Sequence, residues 1–216
     1  PAKQLLTEVK DWLNKQELVG VALSESNSFG LATETERIET TDAYVLEWLS
    51  SAAKKAVFNA KAIDRSLLAK GHSVSGVELD ALLLCYLNDP VRRDYSLDTI
   101  ALDYLGLSVE RAEDDGSLLS TGGEDPSLDA FLALKVGKAL HAKVSAQGQL
   151  KVYEDVELPS SPTLALMEHY GVAVDKAKLE TLFATLGEEV KTIETEAFAI
   201  IGHEINLSSQ IGRAHV

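Results

Sequence analysis

The chain has 216 residues, 45% of them hydrophobic, and a formal net charge of −14. That is enough apolar material for one large domain plus an extension. The acidic balance excludes a general nucleic-acid-binding surface, which needs clustered Lys and Arg. The single cysteine, Cys85, excludes an internal disulfide and a cysteine-based zinc site. No window reaches the ~18 apolar residues of a membrane span, and no signal-peptide pattern opens the chain. Pro1 stands where a complete protein would carry methionine, so the expectation is an internal piece of a cytoplasmic protein.

In chain order, residues 4–15 carry Leu5, Leu6, Val9, Trp12 and Leu13 at helical spacing. Residues 18–23 (LVGVAL) are a continuous apolar run of strand length, Asn27-Ser28 is a turn, and residues 29–33 form a partner strand. Asp42 caps a helix with Tyr44, Val45, Trp48 and Leu49. Residues 54–58 read as a buried strand and residues 59–70 as a helix that Gly71 ends. Such alternation is an α/β signature.

The stretch from 76 to 106 reads as a helical hairpin. Val77, Ala81, Leu84, Cys85 and Leu87 give one apolar stripe, and Cys85 on it is a core residue. Asn88-Asp89-Pro90 stops the first helix; Ser96 caps the second and Gly106 ends it. Residues 108–127 are acidic and rich in Gly and Ser, a solvated loop. Ser127 or Asp129 caps a helix to about Val144. A polar break at 145–149 places a domain boundary near residue 150. Beyond it the chain is helical: Ser161-Pro162 is a cap with proline at the first helical position, and a long helix runs from Asp175 to Gly202.

These same residues resemble the bacterial DNA polymerase I family, the family A polymerases. The hairpin carries Tyr-Leu-x-Asp-Pro and then Ser-Leu-Asp-x-Ile-Ala-x-x-Tyr-Leu-Gly, as in that family's 3′–5′ exonuclease region. Glu157-Leu158-Pro159, Met167 to Asp175, and Gly202 to Ser208 follow in order, as at the start of its polymerase domain. The resemblance covers nearly the whole chain and is weakest before residue 18. It implies a ribonuclease-H-like exonuclease-type α/β domain over 1–150, then the helical beginning of a polymerase domain over 151–209. The last residues, 210–216, leave the family's pattern: IGRAHV resembles a translated sequencing adapter, so this tail is expected to be non-native.

The family's exonuclease holds two divalent cations on carboxylates, which activate water and stabilise the leaving oxygen. Its pattern is Asp-x-Glu ending the first strand, an Asp on the helix after Asn-x-Lys, and Tyr-x-x-x-Asp on a later helix. Here the first element stands as Leu23-Ser24-Glu25, and after Asn59-Ala60-Lys61 the ligand position is Ile63. Asp64 is the next residue, about 100° round the helix. The third element is absent, although Asp125 or Asp129 could partly replace its aspartate. By resemblance the exonuclease positions Leu23, Glu25 and Ile63 are therefore degenerate: no catalytic residue and no metal site is expected in this stretch.

Arg92, Arg93 and Tyr95 form a basic–aromatic cluster, read first as a solvated hairpin tip and second as a nucleic-acid contact. Asp155-Val156-Glu157 lies at the domain junction, Ser120-Thr121-Gly122-Gly123 lacks the lysine of a phosphate loop, and the histidines do not pair at ligand spacing. The resemblance implies a parent DNA-directed DNA polymerase acting in replication and repair. Mg²⁺, primer-template DNA and deoxynucleotides would act on a polymerase domain beyond this chain, with no cofactor in the chain itself and no membrane partner. Two other readings stand beside this one: an active exonuclease using Glu25, Asp64 and Asp129, and a non-catalytic helical interaction module unrelated to polymerases.

Overall fold

The computed structural model describes residues 3–4, 9–111 and 124–207, the first pair by backbone alone. The chain divides into two compact units, Pro1–Tyr170 and Gly171–Val216. The expected boundary near 150 therefore lies inside the first unit.

The first unit is built on a mixed sheet. Its strands are β1 (Lys3–Gln4), β2 (Leu18–Leu23), β3 (Phe29–Ala32), β4 (Arg37–Thr40), β5 (Lys54–Val57) and β6 (Val77–Asp80), in the order β1-β4-β3-β2-β5-β6. Strand β3 is antiparallel to β2 and β4, while β5 is parallel to β2 and β6. Helices α1 (Val9–Leu13), α2 (Tyr44–Leu49) and α3 (Ala60–Leu68) share one core with Val19 and Val21. Helices α4 (Ala81–Asn88), α5 (Leu97–Leu105) and α6 (Pro126–Ala146) share the other with Ala56 and Leu79.

Side chains alternate across a strand, so Val19 and Val21 face the first core while Gly20 faces α6. There the helix lies directly on the sheet. A Cβ on Gly20 would stand 2.1 Å from the Ala130 carbonyl oxygen, and one on Gly30 would stand 1.7 Å from that of Pro126. Only glycine admits such an approach.

Several expectations change. Residues 4–15 are not one helix: Lys3–Gln4 pairs with Arg37 and Ile38, and among the described residues of this stretch the helix is Val9–Leu13. Val77 starts a strand, and the hairpin's first helix begins only at Ala81, capped by Asp80. Ser96 makes no side-chain cap bond; its hydroxyl meets that of Thr99 at 2.8 Å. Asp125, rather than Ser127 or Asp129, caps α6 by accepting from the Leu128 N–H, with Pro126 at the first helical position.

The polar break at 145–149 is the end of α6 and a short turn, after which the chain is helical to Tyr170. Helix α7 (Leu150–Val152) passes through a π turn (Tyr153–Glu157) into α8 (Leu158–Tyr170), so Pro162 sits inside a helix instead of opening one. Glu168 on α8 accepts from Lys61 at 2.7 Å and Arg65 at 3.0 Å, both on α3, and these cations hold its carboxyl below the usual range. In the second unit, Asp175 caps α9 (Lys176–Ile201), which ends at Gly202 with φ +87°. The proposed tail, 210–216, lies outside the described residues.

Candidate active-site cleft

The end of β2, the first turns of α3, the start of α5 and the start of α6 converge on one cleft of about 580 Å³. Leu23 and Glu25 come from β2 and the turn after it, Ile63 from α3, Asp98 from α5 and Asp129 from α6; Arg111 completes the lining. The three positions assigned from the Asp-x-Glu and Asn-x-Lys elements thus meet in space. Distant in sequence, they meet because β2 and β5 run parallel and so end at the same edge of the sheet.

Asn59 explains the local turn. It takes φ +63° and caps α3 by accepting from the Ala62 N–H, and left-handed geometry of this kind is favourable for Asn. Lys61 of the same motif turns outward to Glu168. Ile63 points inward, 8% exposed. Asp64 points elsewhere: its carboxylate accepts from the Val74 N–H at 2.8 Å and lines a separate pocket beside α8. Glu25 and Asp129 share the cleft, but Asp64 is not with them, so the displaced triad Glu25, Asp64 and Asp129 is not assembled.

One cation dominates the electrostatics. The Arg111 guanidinium donates through Nε and Nη2 to both oxygens of Asp98, and through Nη2 to Asp129, each at 2.6 Å. Hydrogen bonding to Asp98 is the largest influence holding its pKa above the usual arginine value. Burial pushes the Asp129 carboxyl upward, and its bond to Arg111 opposes that only in part. The Glu25 backbone N–H donates to Glu124 at 3.3 Å. Among the described residues, no group of three or more Asp, Glu, His or Cys is arranged to hold a metal ion. The cleft does hold carboxylates, but Asp98 and Asp129 are bonded to Arg111, and Leu23 and Ile63 offer no oxygen to a hard cation, so with Glu25 alone uncommitted to Arg111 the lining does not fit a metal pair. Arg111 was unreadable in advance because it lies in a stretch with loop-like composition.

The hairpin-tip cluster is largely committed internally. Arg92 donates to Asp103 at 2.5 Å and to the Asp94 carbonyl, with its guanidinium 6.0 Å from the Tyr104 ring centroid. The Tyr95 hydroxyl donates to the Asp89 carbonyl at 2.8 Å. Arg93 is exposed.

Residues 7–114, half the chain, match the family described as DNA polymerase I, ribonuclease H-like domain. The chain belongs to the DNA polymerase I family. DNA polymerase I of Mycobacterium tuberculosis (strain ATCC 25618 / H37Rv) is 31% identical over 178 residues, covering 78% of this chain and 20% of that protein. That of Geobacillus stearothermophilus is 29% identical over 202 residues, covering 89% of this chain and 23% of the relative. A solved structure of the POL domain of Pol1 from M. smegmatis, in complex with DNA primer-template and dNTP, superposes with a TM-score of 0.79 at 26% identity. The match covers 96% of this chain and 39% of that one. The chain spans about a fifth of the length of these two DNA polymerase I relatives. Family membership and the mixed sheet overturn the reading as a helical module unrelated to polymerases. They bear out the ribonuclease-H-like domain followed by a helical segment. No helix among the described residues is long and apolar enough to cross a membrane.

Proposed function

We propose that this chain is a non-degrading exonuclease-like domain of a DNA polymerase I, together with the first helices of its polymerase domain. The parent enzyme would extend primer 3′ ends on template DNA, using deoxynucleotides and Mg²⁺, in bacterial cytoplasmic replication and repair. The domain would act as a scaffold. The observation that carries this reading is the cleft itself: Leu23 and Ile63 stand where the family's pattern has carboxylates, and Arg111 binds Asp98 and Asp129. Each missing carboxylate removes negative charge and a ligand from a two-metal centre, whose cations supply most of the transition-state stabilisation in phosphodiester hydrolysis.

The mechanism proposed for the domain is positional. The ion pairs of Glu168 with Lys61 and Arg65 join α8 to α3. Through them the cleft's second wall would brace the start of the polymerase domain. Of the hairpin-tip residues, Arg93 is the one left exposed for a nucleic-acid contact.

The test is digestion of a 5′-labelled strand: purified protein, single-stranded oligonucleotide, and Mg²⁺ or Mn²⁺. The expected outcome is an intact oligonucleotide. Stepwise 3′ shortening that EDTA abolishes and Glu25→Ala reduces would overturn the reading.

A further inference from the structure

The disagreement between this cleft and a two-metal centre has a specific form. Acidic residues remain on α5 and α6, and their charge is met by a side chain. Arg111 follows α5 by six residues and reaches back to Asp98 near the start of that helix, while also bonding Asp129 in the first turn of α6. The three side chains are 30–37% exposed, half-shielded from water, with fork-like geometry toward Asp98. Bidentate and networked arginine pairs are the class of ion pair that does contribute to stability. Without the guanidinium, two carboxylates from different helices would face the same cleft, one of them largely desolvated.

We propose that Arg111 is a built-in counterion that clamps α5 to α6 across the former metal site and makes the domain's fold independent of divalent metal. The clamp rests on the reading of this cleft as degenerate, but it concerns stability rather than DNA cleavage. Arg111 is a positioning residue, and its effect passes through charge rather than through packing volume. Replacing it by methionine keeps the stem and removes the charge. The penalty therefore depends on Asp98 and Asp129 being ionised.

The experiment is thermal unfolding of the whole chain as wild type, Arg111→Met, and Arg111→Met combined with Asp98→Asn and Asp129→Asn. Wild-type Tm is expected to be the same in EDTA and in millimolar Mg²⁺. Arg111→Met should lower Tm by about 2–4 °C at pH 8, a shift of the size expected for about 1 kcal/mol in a chain this long. The loss should shrink as pH falls and Asp129, whose carboxyl burial pushes upward, takes up a proton, and the triple variant should recover it. If Arg111→Met does not fold at pH 8, folding of the triple variant supports the clamp and its failure to fold overturns it. A Mg²⁺-dependent rise in wild-type Tm overturns it too, as does a loss in Arg111→Met that the added asparagines do not reduce. The oligonucleotide digestion is scored separately. A metal-stabilised domain that leaves DNA intact sinks the clamp alone, whereas DNA shortening sinks the functional reading.

Discussion

The Tyr153 hydroxyl accepts a hydrogen bond of 2.7 Å from the Asp80 backbone N–H and donates to the Glu78 carbonyl at 3.1 Å. One buried phenol thereby stitches the π turn at Tyr153–Glu157 to strand β6, and burial pushes its pKa upward. The Asp80 carboxylate accepts from Asn59, Ala60, Leu82 and Leu83 backbone N–H groups at 2.7–3.4 Å, capping α3 and α4 at once. The wall of the cleft that carries Ile63 is therefore anchored by residues distant in sequence. Tyr153→Phe takes this partner from the buried Asp80 N–H and should cost about 1–3 kcal/mol. Urea unfolding checks this, and a variant as stable as wild type would remove the stitch from the account.

Lys55 is fully buried on β5. Its ammonium donates to the Ser51 and Ala53 carbonyls at 2.9 and 2.6 Å and lies 4.4 Å from the Trp48 ring centroid. Burial lowers its pKa from the ordinary 10.5 to about 8. Between those values the unfolded chain binds more protons than the native one, so this group's contribution to stability rises with pH. The destabilisation is full below about pH 8. Comparing wild type with Lys55→Met by urea unfolding at pH 7 and pH 10 isolates it: the wild type should gain on the variant as pH rises. A constant difference would contradict the assignment.

Helix α9 displays Leu179, Leu182, Phe183, Leu186, Val190 and Ile193 at steps of three and four, each 49–82% exposed. Exposed apolar stripes of this extent drive association. The 216-residue chain should self-associate in analytical ultracentrifugation, while a chain ending at Tyr170 should stay monomeric. Ending it at Gly148 instead would remove Tyr153 from the core, so that shorter piece should unfold. Equal monomeric behaviour of the 216- and 170-residue chains would count against the stripe.

Strand β2 was legible because LVGVAL is apolar on both faces of a central strand, and α9 because Asp175 and Gly202 mark its ends. Strand β4 was not: RIET buries only Ile38, too weak a pattern to stand out from a loop. Strand β6 was mistaken for helix because Val77 precedes Ala81 and Leu84 at helical spacing. Pro162 suggested a helix start, but the wide π turn before it lets the chain stay helical through that position. In the cleft, Leu23, Glu25 and Ile63 could be found from motif spacing and the turn of a helix. Arg111 could not, since its partners lie 13 and 18 residues away and only the packing of α5 against α6 brings them together. The same holds for Gly20 and Gly30, whose role depends on the approach of α6.

Whether the cleft holds a metal pair is the claim on which the functional account turns, and Mn²⁺ titration followed by electron paramagnetic resonance measures it directly. The apolar Leu23 and Ile63, with Arg111 spending Asp98 and Asp129, predict no saturable Mn²⁺ site in the wild-type protein up to millimolar metal. Saturable binding of Mn²⁺ that disappears in Glu25→Ala and in Asp129→Ala would contradict it.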